Sequence, residues 1–135
     1  QLEHYEEKLR NGTYNKITME IIDNMNGRQF EEFLEELFIK IGYSVKNNKY
    51  SRDQGADLIL SNLISKIVVQ AKNYAGNINN NAVQQVVAAK GFYQAQEGWI
   101  VTNSYLTPSA RQLAHANQIR IINRNSLKQL IQENF

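Results

Sequence analysis

Apolar residues recur at three- and four-residue steps in one long segment of the first third of the chain. This spacing predicts an amphipathic helix over residues 29–41 whose core-facing stripe consists of Phe30, Phe33, Leu34, Leu37, Phe38 and Ile41. Asn26 is a suitable N-cap, and the acidic residues concentrate in the N-terminal half, where the helix dipole favours them. Gly42 is a natural stop for the helix.

The hydrophobic period changes after Gly42. Short apolar runs predict strands at 43–45, 56–60, 66–71, 98–102 and 119–122. Helical patterns return over 82–93, after Thr107-Pro108, and after a cap at Asn125 or Ser126. The early strands follow one another directly and the later ones alternate with helices. This order predicts an α/β fold with a mixed central β-sheet flanked by helices.

The chain divides into a short appendage and one domain. Leu2, Tyr5 and Leu9 predict a short helix, so we interpret residues 1–24 as an N-terminal helical appendage and residues 25–135 as a single domain. The chain opens on Gln1 and not on methionine. This leaves open a missing N-terminal segment that holds a membrane anchor or a recognition domain.

Composition narrows the class of protein. A hydrophobic content of 42% and a single proline indicate an ordered globular fold. The chain has no cysteine and two histidines, which argues against disulfides and a zinc site and favours a cytoplasmic location. No apolar run approaches the roughly 20 residues that span a bilayer.

The charge distribution is asymmetric along the chain. Residues 1–36 carry nine acidic and four basic side chains, a net −5, whereas residues 37–135 carry four acidic and eleven basic ones, a net +7. Asp53 and Asp57 lie close together in the basic part. Two interpretations remain open: a basic surface with a structural turn aspartate, or a phosphate-binding face that contains a metal site.

The third predicted strand ends with two polar side chains that point the same way. Gln70 and Lys72 are two residues apart, so they project from one face of the strand while Ala71 faces away. A short hairpin would bring Asp57 alongside them. A carboxylate, an amide oxygen and an ammonium would then surround a position suited to a divalent cation and a phosphate.

The order of these pieces resembles the PD-(D/E)XK nuclease fold, and within it the Mrr-like restriction endonuclease catalytic domain. The resemblance covers roughly residues 22–130 and implies an α-β-β-β-α-β core. The matching pieces are Met25-Asn26-Gly27-Arg28-Gln29-Phe30-Glu31, Gly42-Tyr43-Ser44-Val45, Asp53-Gln54-Gly55-Ala56-Asp57, Val69-Gln70-Ala71-Lys72 and Val101-Thr102-Asn103. In the Mrr-like group glutamine replaces the usual acidic residue of the third strand, as Gln70 does here, and a glutamate on the first helix, here Glu31, supplies the missing charge.

The resemblance implies metal-dependent hydrolysis of DNA phosphodiester bonds, in restriction, defence or DNA processing. It assigns Mg²⁺, with Mn²⁺ as a substitute, to Glu31, Asp57, Gln70 and the Ala71 carbonyl. Lys72 would orient or deprotonate the attacking water or stabilise the transition state, and we favour the electrostatic role because a base would need a strongly lowered pKa. Cutting both strands implies two active sites and therefore a possible homodimer.

Two other function classes remain open. One is a DNA-binding module of the same fold without activity, and the other is a membrane-tethered interaction domain. The individual residues also have structural explanations: Glu31 as part of a solvated acidic helix face, Gln70 as an edge residue and Lys72 as a side chain that reaches water. Asp57 is harder to explain structurally, because strands are depleted in aspartate unless it is paired or used.

Overall fold

The computed structural model describes residues 17–48 and 55–135 of the chain. The helix predicted from Leu2, Tyr5 and Leu9 lies outside these residues, as does Asp53. The described elements are α1 Met19–Asp23, α2 Gly27–Ile41, β1 Ser44–Asn47, β2 Leu58–Ser61, β3 Lys66–Lys72, α3 Asn80–Phe92, β4 Glu97–Thr102, α4 Pro108–Ala116, β5 Arg120–Ile122 and α5 Arg124–Asn134.

Helix α2 has the predicted N-cap and the predicted C-terminal end, and it begins at Gly27, two residues before the predicted start. The Asn26 side chain accepts a hydrogen bond from the Gln29 N–H at 2.8 Å, and the Gln29 side chain accepts one from the Asn26 N–H at 3.0 Å. This reciprocal pair satisfies donors that the helix start would otherwise leave without partners. Gly42 ends the helix with a φ of 124°, a conformation that costs glycine little.

The five strands form one mixed sheet in the order β1-β2-β3-β4-β5. Strands β1, β2 and β3 pair antiparallel, with Leu58 opposite Val69, and β3, β4 and β5 pair parallel, with Lys72 opposite Thr102. The antiparallel part follows from the short connections, and each parallel pair is joined through a helix. The predicted α/β class with a mixed, helix-flanked sheet is confirmed.

A separate apolar core covers each face of the sheet. Helices α2 and α5 pack on one face with Val69 and Val101, and Ile17, Met19 and Ile22 from the segment before residue 25 lie in this same core. Helices α3 and α4 pack on the other face with Val68 and Ile100. Side chains therefore alternate along β3 between the α2 face and the α3 face, which places Gln70 and Lys72 on the α3 face.

The predicted cap of the last helix is wrong. We predicted that Asn125 or Ser126 caps the last helix, but the cap is Asn123, whose side chain accepts a hydrogen bond from the Ser126 N–H at 3.1 Å. Strand β5 ends at Ile122, so the chain turns into the helix at the first available capping residue. In the described ranges, 17–48 and 55–135, no helix combines the length and apolarity that a membrane crossing needs.

Candidate functional site

Asp57 is fixed by hydrogen bonds on two sides, immediately before β2. Its N–H donates to the Val69 carbonyl at 2.8 Å, and its own carbonyl accepts from the Asn48 N–H at 2.9 Å. Its carboxylate Oδ2 accepts from the Ala71 N–H at 2.8 Å. Asp57 is 7% exposed, so this carboxylate is held in a largely dry position at the start of the strand.

The hydrogen bond from the Ala71 N–H indicates that the Asp57 carboxylate lies near the plane of the sheet, on the side of β3 that faces β2. The N–H groups of a strand point sideways toward its neighbours, and the one on Ala71 points at Asp57. Because N–H and C=O of one strand residue point to the same side, we expect the Ala71 carbonyl to be directed there as well. A group in this plane can be approached from both faces of the sheet.

The Gln70 side chain lies on the α3 face of the sheet. It is 6% exposed, and its Oε1 atom is buried without a hydrogen-bond partner in the described part of the chain. Leaving a buried polar atom without a partner costs about 1–3 kcal/mol. Such an atom therefore requires an explanation, which an absent ligand, ion or water can provide.

Lys72 is the last residue of β3 and is half-buried. Its Nζ lies 5.8 Å from the ring centroid of Tyr74, within the range of a cation–π contact. Lys66, at the start of the same strand, donates to the Tyr93 carbonyl at 3.3 Å. The two lysines are about 20 Å apart along the strand, so only Lys72 lies at the Asp57 end.

Glu31 lies on helix α2. It is only 4% exposed, which contradicts the view that it belongs to a solvated acidic helix face. Helix α2 packs on the opposite face of the sheet from Gln70 and Lys72. A ligand shared by Glu31 and Gln70 would therefore have to lie near the plane of the sheet. Asp57, immediately before β2, lies at that position. Among the residues that the structure describes, no three histidine, cysteine or acidic side chains group together as a metal site.

A polar cleft of about 450 Å³ opens beside Lys72, at the carboxyl ends of β3 and β4. Asn73 and Tyr74 line one side, directly after Lys72, and Asn103 and Tyr105 line the other. The cleft also contains the ion pair described next. Carboxyl ends of parallel strands are a common place for ligand sites in α/β sheets.

Asp23 and Arg124 form a two-point ion pair in this cleft. The Arg124 guanidinium donates to Asp23 Oδ1 at 2.7 Å and to Oδ2 at 3.0 Å. The hydrogen bond from Arg124 lowers the pKa of Asp23 below its usual value, and the hydrogen bond to Asp23 raises the pKa of Arg124. Asn103 adds a bond to Asp23 at 2.9 Å, and its carbonyl accepts from Arg124 at 2.9 Å.

Gly55 explains why the chain can turn tightly before Asp57. Its φ is +78°, and a Cβ added to it would lie 2.5 Å from the backbone oxygen of Gln85 on α3. Only glycine fits this close approach. Gln85 is half-buried with an Oε1 that also lacks a hydrogen-bond partner in the described residues, whereas Gln84 is exposed.

Sequence reasoning found part of this site. It singled out Glu31, Asp57, Gln70 and Lys72, and the structure brings the backbone of Gln70 to Lys72 beside Asp57. It missed the Asp23–Arg124 pair, whose members are 101 residues apart in the chain. A polar residue directly after a predicted parallel strand, such as Asn103, was the available signal for the cleft.

Comparisons with known proteins bear on this arrangement. The family model of the Mrr catalytic domain, described as a restriction endonuclease, matches residues 22–131. The fold is similar to a crystal structure of a protein of unknown function, AF1548, with a TM-score of 0.66 and 14% sequence identity over 76% of this chain and 64% of that one. A search of curated proteins found no match. With most of its length matched and the restriction-endonuclease-like sheet in place, the chain belongs to the Mrr catalytic-domain family of restriction endonucleases.

Proposed function

We propose that this chain is a metal-dependent endonuclease that hydrolyses DNA phosphodiester bonds, with its active site at Asp57, Gln70 and Lys72. One observation carries the proposal. The buried Oε1 of Gln70 has no hydrogen-bond partner among the described residues, and Gln70 precedes the residue whose N–H holds the Asp57 carboxylate. A cation beside Asp57 would give that oxygen the partner that the described residues do not supply.

The donors at this place fit a hard divalent cation. Asp57 offers a carboxylate, Gln70 an amide oxygen and Ala71 a backbone carbonyl, and we assign Glu31 as the second carboxylate. An all-oxygen set of this kind suits Mg²⁺, with Mn²⁺ as a substitute. When bound, the ion supplies charge neutralisation at the phosphate and a more acidic attacking water.

The protein's own groups would position the substrate. Lys72 carries its ammonium at the end of β3 and would hold the scissile phosphate and stabilise the charge that develops on it. This role needs the charged ammonium, whereas the role of a base needs the neutral amine. Lys72 Nζ lies 5.8 Å from the centroid of the Tyr74 ring, and this cation–π contact helps to hold the side chain at the end of β3.

Cutting a duplex requires two such sites. We therefore propose that two copies of the chain act together on DNA, in restriction or DNA processing. Cleavage of both strands at one place would linearise a plasmid directly, whereas independent single sites would first nick it and give linear DNA only as nicks accumulate.

The test is cleavage of supercoiled plasmid, methylated and unmethylated, with Mg²⁺ or Mn²⁺. We expect Asp57→Asn and Lys72→Ala to lower the rate at least about 100-fold, the usual effect of removing one group that stabilises transition-state charge. Asp57→Asn keeps an oxygen that can accept the Ala71 N–H, so it removes the charge with little change of structure. The matched control is Lys66→Ala, on the same strand about 20 Å away, which should cut like the wild type.

Three results would contradict the proposal. Equal cleavage by all variants would place the activity elsewhere. Loss of activity in Lys66→Ala as well would mean that lysines act through general DNA attraction. Binding of either plasmid without cleavage would identify a DNA-binding module of the same fold.

A further inference from the structure

We propose that the polar cleft beside Lys72 binds an unpaired nucleobase of the DNA substrate, next to the phosphate that is cut. This inference rests on the proposed nuclease function and adds to it a class of substrate: DNA with a base outside the helical stack. The cleft volume of about 450 Å³ lies in the usual range for small-molecule sites. It begins at Asn73, one residue beyond Lys72.

Two tyrosine rings in the cleft have exposed surfaces suited to stacking. Tyr74 is 50% exposed and Tyr105 is 40% exposed. Tyrosine rings that remain this accessible in a cleft are the usual platforms on which single-stranded bases stack. Tyr74 also lies within cation–π distance of Lys72, so a base stacked on it would bring its own phosphate toward that ammonium.

The charge in the cleft favours a neutral ring over a second phosphate. Its charged lining residues in the described chain are Asp23 and Arg124, and each neutralises the other through two hydrogen bonds. A phosphate placed here would face the Asp23 carboxylate. A nucleobase carries no charge and can use polar edges. Asn77 lines the cleft with an exposed side chain that makes no hydrogen bond within the described residues, and a carboxamide can pair with a base edge.

The walls of the cleft are held in place before any ligand binds. The Ile78 N–H donates to the Tyr105 carbonyl at 2.8 Å, and the Ser104 hydroxyl donates to the Gly76 carbonyl at 2.7 Å. The Tyr74 N–H donates to the Asn103 side chain at 2.8 Å. These bonds join the loop after β3 to the loop after β4, so little ordering of the two tyrosine backbones remains when a base enters.

A base inside a duplex cannot use this cleft, because its ring faces are covered by its neighbours. The cleft would therefore favour DNA in which the base is already unpaired, because binding such a base does not require the energy of unstacking it. This predicts a preference for bulged or mismatched DNA over paired duplex.

The test measures binding without metal, so that its readout does not depend on cleavage. Three DNA duplexes are compared by fluorescence anisotropy: one with a single bulged base, one with the same bulge lacking the base, and one fully paired. The wild-type chain should bind the base-bearing bulge about 5- to 150-fold more tightly than the abasic bulge, the range expected for stacking on an aromatic side chain. Tyr74→Ala and Tyr105→Ala should each reduce this difference, and Tyr74→Phe should keep it. Circular dichroism checks that the variants fold.

The outcomes separate this inference from the proposed function. Equal affinity for the base-bearing and abasic bulges, or a difference that survives both alanine variants, would overturn it even if plasmid is cut. A difference that the alanine variants remove would support the cleft even if Lys72→Ala shows no role in cleavage. Tighter binding to the same bulge in RNA would overturn the assignment to DNA. If an alanine variant does not fold, Tyr74→Phe still tests the inference on both bulges, because loss of the difference between the base-bearing and the abasic bulge in this variant contradicts stacking.

Discussion

Replacing Gln70 by methionine should stabilise the metal-free protein and weaken its response to metal. Gln70 makes no side-chain hydrogen bond in the described chain, and its Oε1 is buried. Methionine has a similar shape and no polar atom, so the substitution removes an unsatisfied group worth about 1–3 kcal/mol. An unfolding entropy of about 2.1 cal/mol/K per residue over 135 residues converts 1 kcal/mol into about 3.5 °C. We therefore expect Tm to rise by about 4–10 °C.

The assay is thermal unfolding with EDTA and with Mg²⁺ or Mn²⁺. A metal at about 100 times its Kd stabilises the wild type by about 2.7 kcal/mol, which is roughly 9 °C by the same conversion. In Gln70→Met this metal-induced shift should be much smaller, because one oxygen ligand is gone. Gln84→Met is the matched control: Gln84 is an exposed glutamine on α3, so its replacement should change neither the Tm in EDTA nor the metal-induced shift of Tm. Gln70→Glu should show the reverse, a lower Tm in EDTA and a larger shift with metal.

A Gln70→Met protein that melts at a lower temperature in EDTA and keeps the full metal-induced shift would contradict this prediction. The Oε1 atom would then have a structural partner, most simply a buried water, and no part in metal binding. The wild type could also show no metal-induced shift of Tm under conditions where it cuts plasmid. This result would show that the metal binds together with DNA and not before it.

Two further predictions concern stability. Gly55→Ala should lower the free energy of unfolding by at least about 2 kcal/mol, because φ is +78° and the new Cβ would meet the Gln85 backbone oxygen at 2.5 Å. Gly76→Ala is the control: the space around Gly76 is open, so the free energy of unfolding should change by less than about 0.5 kcal/mol. Asp23→Asn should cost under about 1 kcal/mol at pH 7, since the pair with Arg124 is more than a third exposed on the Asp23 side. The hydrogen bond from Arg124 lowers the pKa of Asp23 below 3.8 in the folded protein, so the ion pair stabilises the fold above pH 3.8 and this stabilisation is lost as the pH falls through the folded-state pKa. Unfolding curves of the wild type and of Asp23→Asn at several pH values test this prediction.

Local signals in the sequence predicted most of the fold. Asn26, Gln29 and Gly42 determine the ends of α2 through contacts within a few residues, and so they can be recognised without tertiary information. The cap of α5 could not be chosen, because Asn123, Asn125 and Ser126 are all good capping residues. Which of them caps the helix depends on where β5 ends, and β5 ends where its pairing with β4 ends.

The candidate site was predictable where it follows strand geometry. Alternation along β3 places Gln70 and Lys72 on one face, and the antiparallel pairing of β2 with β3 brings Asp57 to the same end. The cleft was not predictable, since it depends on Asp23 and Arg124, which meet only after the whole sheet has formed. No local pattern marks a contact between residues 101 positions apart.

The in-plane position of Asp57 suggests why a glutamine suits β3. Two carboxylates at Asp57 and at position 70 would lie close together and repel each other in the metal-free protein. In the proposed metal site, a glutamine would keep the oxygen ligand without that repulsion, and a glutamate on the opposite face would supply the second negative charge. Glu31 is nearly buried on α2, the layer on that opposite face. In the proposed enzyme the negative charge of the metal ligands would thus come from Asp57 and from Glu31, on helix α2. Substitutions at Gln70 would then change mainly the stability of the metal-free fold, and substitutions at Glu31 mainly its affinity for metal.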